Sequence, residues 1–214
     1  MQKPISSQYS LIDLLVNDTT VAMKTKLPKD ICEGIIKQYS NKELKDAVVQ
    51  QYPRDSIEGK ERSDPENRKT EIHWIDQKEW VAGMISYYVE HINDLYFRYD
   101  LTAISGGQFQ FSVYRDGAHY NWHTDESRNL RYVAEKQETV RKLSFSLQLS
   151  DPDDYEGGDL VFKNITSEKD YEMVQTREQG SLIIFDSRQI HKVTPVTSGV
   201  RYALVGWYVG PAWR

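Results

Sequence analysis

Among the five histidines of this 214-residue chain, His123 and His191 stand where a metal could be held. His123-Thr124-Asp125 falls in a strand-like run, HYNWHTD (119–125). On a strand, residues i and i+2 point to the same face, so an imidazole and a carboxylate converge from neighbouring positions. A third ligand must come from elsewhere. His191 follows the apolar run SLIIFDS (181–187) and precedes another strand-like segment. Two neutral nitrogens and one carboxylate on one face of an octahedral ion leave three positions open, the arrangement suited to an iron(II) oxygenase. An isolated HxD is common by chance, and the other histidines read as ordinary. His73 lies at a strand start and His91 at the edge of a helix's apolar face. His119 shares parity with His123 and Asp125 but reads as a rim residue.

Ten positions beyond His191, Arg201 opens the run RYALVGWY. Period-two alternation puts Arg201, Ala203, Val205 and Trp207 on one face. An arginine facing the interior of a barrel needs a partner, because burying an unpaired charge is expensive. A bound dicarboxylate would supply one in the bidentate geometry that guanidinium favours. An internal salt bridge is the alternative.

The elements that must position these groups are legible from periodicity. VAMKTK (21–26) alternates as a strand. Leu27-Pro28-Lys29-Asp30 then opens a helix to about Tyr39, with proline in the first turn and an acidic residue near the positive end. Residues 53–69 are nearly all polar and read as an exposed loop within one domain. A second helix is expected from about Gln77 to Phe97, where Val81, Met84, Ile85, Tyr88, Ile92 and Leu95 recur at helical spacing. The period then changes to two, in FQFSVY (109–114), HYNWHTD, KLSFSLQLS (142–150), DLVFKN (159–164), SLIIFDS and VRYALVGWYV (200–209). Turn signals at Asp116-Gly117, Pro152-Asp153, Gly157-Gly158, Gly180 and Pro195 separate them. Helices first and short antiparallel strands after indicate an α+β fold with a β-sandwich or barrel in the second half.

Composition narrows the partners. Charged residues are 28% and hydrophobic ones 39%, ordinary for a globular protein. A net charge of −5 disfavours a nucleic-acid partner. No apolar run reaches the roughly 20 residues of a membrane helix, and the first 20 residues carry no signal-peptide pattern. The single cysteine, Cys32, flanked by isoleucines, reads as a small buried hydrophobe in a reducing, cytoplasmic compartment.

Taken together, YRDGAHYNWHTD (114–125), LQLSDPDDYEGGDLVF (147–162), HKVTPV (191–196), Arg201 and Trp207 resemble the iron/2-oxoglutarate dioxygenases. The likeness is to the prolyl 4-hydroxylase-like branch that includes the PKHD-type hydroxylases, and it runs from about residue 20 to 210. It implies a double-stranded β-helix (jelly-roll, cupin-like) with the N-terminal helices packed on one sheet. Residues 1–214 would form one domain, with 1–100 supplying the N-terminal strand and helices and 101–214 the β-helix core. It implies that His123, Asp125 and His191 bind Fe(II), that Arg201 holds the distal carboxylate of 2-oxoglutarate, and that Tyr114 and Ser144 assist. Tyr120 and Trp207 would line the substrate mouth, and the charged loop 126–142 would face the entrance. O₂ is the second co-substrate, with ascorbate as a reductant, and no side-chain general base is needed. The reaction implied is hydroxylation of prolyl residues in a protein or peptide, with release of succinate and CO₂. Many prolyl hydroxylases carry lysine where this chain has Arg201, and either suits a carboxylate.

Other readings share the core motifs. They are hydroxylation of another residue, of a free amino acid or of a small metabolite. A nucleic-acid demethylase would carry paired arginines after His191, where this chain has Arg201 alone. A non-enzymatic cupin-like metal-binding module would give no reason for an arginine facing the pocket.

Overall fold

The computed structural model describes residues 14–17, 19–24, 26–51, 60–126, 139–164 and 171–213. In chain order the elements are β1 (Leu14–Asn17), β2 (Thr20–Met23), α1 (Lys29–Tyr39), β3 (Lys45–Asp46), β4 (Val49–Gln51), β5 (Lys60–Arg62), β6 (Arg68–Lys69), β7 (Glu71–Asp76), α2 (Trp80–Ile92) and β8 (Ala103–Ile104). There follow β9 (Gln108–Tyr114), β10 (His119–His123), β11 (Thr139–Gln148), β12 (Tyr155–Gly157), β13 (Leu160–Asn164), β14 (Tyr171–Val174), β15 (Leu182–Asp186), β16 (Ile190–Val193), β17 (Val196–Gly199) and β18 (Arg201–Pro211).

Two antiparallel sheets form the core. The larger has nine strands in the order β1-β2-β15-β11-β18-β9-β7-β3, with β8 paired to β18. The smaller has five, in the order β14-β13-β16-β10-β6. The N-terminal half is built into the larger sheet rather than appended to it, since β2 pairs with β15 and β7 with β9.

Period-two alternation divides the larger sheet into an apolar outer face and an inner face rich in polar groups. Phe109, Phe111, Val113, Leu143, Leu147, Leu182, Ile184 and Leu204 pack with the helices in one apolar cluster. The intervening positions Gln110, Ser112, Ser144, Ser146 and Gln148 are buried although polar, and Ser146 lines the site described below. Between the sheets a second apolar cluster joins Ile183 and Phe185 of the larger to Leu160, Phe162 and Val193 of the smaller. This is a jelly-roll with helices on one sheet.

The helices follow their sequence signals. Pro28 precedes α1, Asp30 lies in its first turn and Lys37 in its last, matching the helix dipole. Its buried stripe is Cys32, Ile35 and Tyr39, with Ile31 and Ile36 only half-buried. Burial, with Asp30 nearby, pushes the Cys32 thiol up to about 11, so the group behaves as a small hydrophobe. In α2 the buried stripe is Val81, Ala82, Ile85, Val89 and Ile92. The Tyr39 hydroxyl donates to Glu79 Oε2 at 2.7 Å, tying α1 to the start of α2.

Two expectations change. The second helix is shorter than 77–97, because the Asp76 carboxylate accepts from the Lys78 amide and holds residues 77–79 in a turn. At the other end Asn93 bonds both the amide and the carbonyl of Tyr99, and 93–97 widens into a π-helical turn. The supposed exposed loop 53–69 is partly wrong as well. Residues 52–59 lie outside the described residues, but Arg68 and Lys69 form β6, pair with Tyr120 and His119, and leave Arg68 buried. Residues 1–13, where a leader was sought, and 127–138 of the charged loop also lie outside the described residues. Among the described residues no helix is long and apolar enough to cross a membrane.

Candidate metal centre

β10 and β16 are neighbours in the smaller sheet, and their register sets His123 opposite His191. β10 is irregular between Tyr120 and His123. That break lets both rings face the same way, although strict alternation would separate them. β10 ends at His123, and Asp125 reaches the site from the following turn. There its amide donates to the Ser187 carbonyl at 2.9 Å.

The three side chains converge. His123 Nε2 lies 3.7 Å from Asp125 Oδ1, and His191 Nε2 lies 3.5 Å from Asp125 Oδ2. The candidate ligand atoms all fall within 4.8 Å of one another, and among the described residues they are the one such cluster. Each imidazole is oriented through its other nitrogen, His123 Nδ1 on the Asn121 carbonyl at 2.7 Å and His191 Nδ1 on the Gln189 carbonyl at 2.8 Å. A proton on Nδ1 leaves the Nε2 lone pair of each ring directed at the cluster, the tautomer a metal requires. Burial and the neighbouring His191 push His123 down to about 3, so its ring is neutral. Burial pushes the Asp125 carboxyl up. The imidazoles, Arg141 and a hydrogen bond from Ser144 outweigh that and hold it below the usual carboxylate range. Two imidazole nitrogens and a carboxylate fit a divalent transition-metal ion with open positions.

Beside the cluster opens a pocket lined by Tyr114, Tyr120, Trp207 and Arg201, among others. Arg201 is the largest fully buried side chain. Its Nη2 donates to Gln148 Oε1 at 2.6 Å, and its guanidinium lies over the Tyr114 ring at 5.0 Å. Its Nε has no hydrogen-bond partner, and among the described residues no carboxylate pairs with it. A buried guanidinium left in this condition fits an anionic ligand better than a structural role, because an unpaired buried charge costs several kcal/mol, roughly.

Of the residues singled out in the sequence, His123, Asp125, His191, Arg201, Tyr114, Tyr120 and Trp207 meet at this pocket. Ser144 stands behind it, bonded to Ser187 Oγ at 2.9 Å and to Asp125. The remaining histidines are occupied elsewhere, His119 by the Gly117 and Glu66 carbonyls, His73 by the Glu43 carbonyl and His91 by the Tyr87 ring. Sequence reasoning missed Gln148 and Arg68. Gln148 was signalled by the polar alternation of LSFSLQ, whereas Arg68 sits in a charged run that gives no sign of burial.

Comparison with known proteins agrees with this geometry. Residues 109–209 match the family model of the 2OG-Fe(II) oxygenase superfamily, whose name carries the iron and the 2-oxoglutarate. A PKHD-type hydroxylase of Pseudomonas putida (strain W619) is 40% identical over 97 residues, covering 45% of this chain and 40% of that protein. A PKHD-type hydroxylase of Synechococcus sp. (strain JA-2-3B'a(2-13)) is 37% identical over the same length and shares. The alignment thus spans 40% of the length of these curated relatives.

Among solved structures, a Pseudomonas putida prolyl-4-hydroxylase superposes with a TM-score of 0.63 at 21% identity, over 92% of this chain and 95% of its own. The viral collagen prolyl hydroxylase of Paramecium Bursaria Chlorella virus-1, a 2OG complex, gives 0.64 at 16% identity, over 90% and 96%. A prolyl hydroxylase from Trichoplax adhaerens, in complex with a hypoxia inducible factor peptide fragment, gives 0.60 at 19%, over 90% and 84%. These likenesses establish the double-stranded β-helix fold. Residues 109–209 are thus similar to the 2OG-Fe(II) oxygenase superfamily, with PKHD-type hydroxylases as the relatives in sequence.

Proposed function

We propose that the protein is an Fe(II)- and 2-oxoglutarate-dependent dioxygenase that hydroxylates prolyl residues of a protein or peptide, releasing succinate and CO₂. The observation that carries this reading is the pairing, in one pocket, of the His123–Asp125–His191 cluster with the unpaired, buried Arg201. A metal site alone would suit many chemistries. A metal site facing an arginine that lacks a carboxylate suits a dicarboxylate co-substrate.

When bound, the iron would supply activation of O₂ and oxidative decarboxylation of the co-substrate. The protein's own groups bind and orient. His123, Asp125 and His191 would hold the metal on one face and leave the other open. Arg201, fixed by Gln148, would take the distal carboxylate, and Tyr114 beneath it would complete that end of the pocket. Phe185 beside His191 excludes water from the ligand shell, with ring centroids 4.9 Å apart. Tyr120 and Trp207 line the same pocket and are placed to meet the substrate. The prolyl preference rests on the family likeness, and the buried Cys32 supports a reducing, cytoplasmic setting.

The test is succinate release from 2-oxoglutarate by iron-loaded protein with Pro-rich peptides and ascorbate, joined to a mass-spectrometric search for a one-oxygen gain. A hydroxyproline product supports the full reading. Oxidation confined to a free metabolite overturns the prolyl part, and undiminished succinate production by His123→Ala protein overturns the metal assignment.

A further inference from the structure

Arg68 repeats the construction of Arg201. It is buried, its Nη2 donates to a glutamine (Gln110 Oε1, 3.0 Å), and its guanidinium stacks over a tyrosine (Tyr120, 4.7 Å to the ring centroid). Its Nε has no hydrogen-bond partner, and it lines the same pocket. Among the described residues no carboxylate pairs with it. The pocket therefore holds two desolvated guanidinium groups, one on the larger sheet and one on the smaller.

One dicarboxylate cannot account for both. In the reading above, Arg201 takes the distal carboxylate of 2-oxoglutarate, and the other end of that molecule belongs with the metal. Arg68 lies next to the metal by a different route, since Tyr120, over which it stacks, is itself stacked on the ligand His123 at 3.5 Å. A buried arginine keeps its charge, so burying one without a counter-ion is sustained only where an anion arrives. We infer that Arg68 is a specificity-determining residue that binds a carboxylate carried by the molecule to be oxidised. That carboxylate belongs either to a free acid or to an acidic side chain beside the target residue of a peptide. The inference rests on the co-substrate reading of Arg201 and deepens it by naming a chemical feature of the primary substrate.

The experiment is calorimetric titration of protein loaded with Zn(II) as a redox-silent ion, first with 2-oxoglutarate and then with paired probes. One pair is N-acetyl-L-proline and its primary amide. The other is acetyl-Pro-Glu-amide and acetyl-Pro-Gln-amide. The expected result is that at least one acid binds tenfold or more tighter than its uncharged partner. That preference should collapse to about twofold or less in Arg68→Met and survive in part in Arg68→Lys, which keeps the charge and loses the fork. The pair that shows the preference identifies the source of the carboxylate. Equal affinity of the wild type for acid and amide, binding of no probe, or a preference retained by Arg68→Met overturns the inference. Thermal melting checks that the methionine variant folds, and if it does not, the loss seen in Arg68→Lys decides. Failure of 2-oxoglutarate to bind overturns the co-substrate reading instead, and the acid–amide comparison on the metal-loaded protein still decides this one.

Discussion

The ring of Tyr120 lies 3.5 Å from that of His123, centroid to centroid, with the planes 15° apart. The stack and the Asn121 carbonyl together fix the attitude of the imidazole. Removing the ring by Tyr120→Ala is expected to weaken metal binding by about tenfold, the usual cost of disturbing a group that orients a ligand. Tyr120→Phe, which keeps the stack, should stay within about threefold. Titration with Mn(II) or Fe(II) reads both, and equal affinity of the alanine variant and the wild type would remove Tyr120 from the metal centre.

In the proposed reading, Arg201 and the Gln148 that accepts from it form the co-substrate end. A charge-assisted hydrogen bond is worth about 1.5–3 kcal/mol, so Arg201→Met should weaken 2-oxoglutarate binding by roughly 10- to 150-fold. Metal affinity should change little, because the guanidinium's contacts among the described residues are with Gln148 and Tyr114. Gln148→Leu leaves Nη2 without its acceptor and should give a smaller loss of the same kind. Calorimetry of the Zn(II)-loaded protein separates the two affinities.

Gly158 connects the Gly157-Gly158 turn to that arginine. Its φ of +63° is left-handed, and a Cβ there would stand 2.9 Å from Val196 Cγ2 and 3.1 Å from Arg201 Cδ. Gly158→Ala is therefore expected to cost about 1–3 kcal/mol of stability and to raise the 2-oxoglutarate concentration needed for half-saturation. A variant that melts like the wild type and binds 2-oxoglutarate equally well would contradict the contact.

Asp186 predicts the acid response. Burial alone would raise its carboxyl, but Arg188, donating through Nε at 2.9 Å and Nη2 at 2.6 Å, and the Tyr99 hydroxyl at 2.6 Å hold it below the usual range. A carboxylate with a depressed folded-state pKa contributes stability above its free-chain value of about 3.9 and loses it as pH falls toward the folded value. Asp186→Asn should therefore melt several degrees below the wild type at pH 7. The gap should narrow as pH falls below about 4, and a gap independent of pH would show that the carboxylate charge is not what stabilises this corner.

The residues that met in the pocket were those whose placement depends on short-range pattern. The alternation of RYALVGWY puts Arg201, Val205 and Trp207 on one face. The pattern Phe-Ser-Val-Tyr likewise turns Tyr114 inward while Phe111 and Val113 join the helices. What local pattern does not carry is long-range pairing. Arg68 is buried only because β6 adds to the edge of β10, a contact across about 50 residues, and its polar neighbours conceal this. The irregular register of β10 inverts the parity of Tyr120 relative to His123, and no periodicity rule anticipates it. Ser144 lies on the inner face as alternation requires, yet its hydroxyl goes to Asp125 and Ser187, a choice made by the turn after β15.

That turn gives the ligand set a mechanical meaning. His123 and His191 ride on the smaller sheet, while Asp125 is tethered through the Ser187 carbonyl. Ser187 in turn donates its amide to the Lys142 carbonyl of the larger sheet. A divalent ion held by all three would act as a removable staple between the two walls of the jelly-roll. Chelation would then loosen the whole molecule along with the chemistry, lowering its melting temperature, and the staple's contribution would grow with free-metal concentration as mass action dictates.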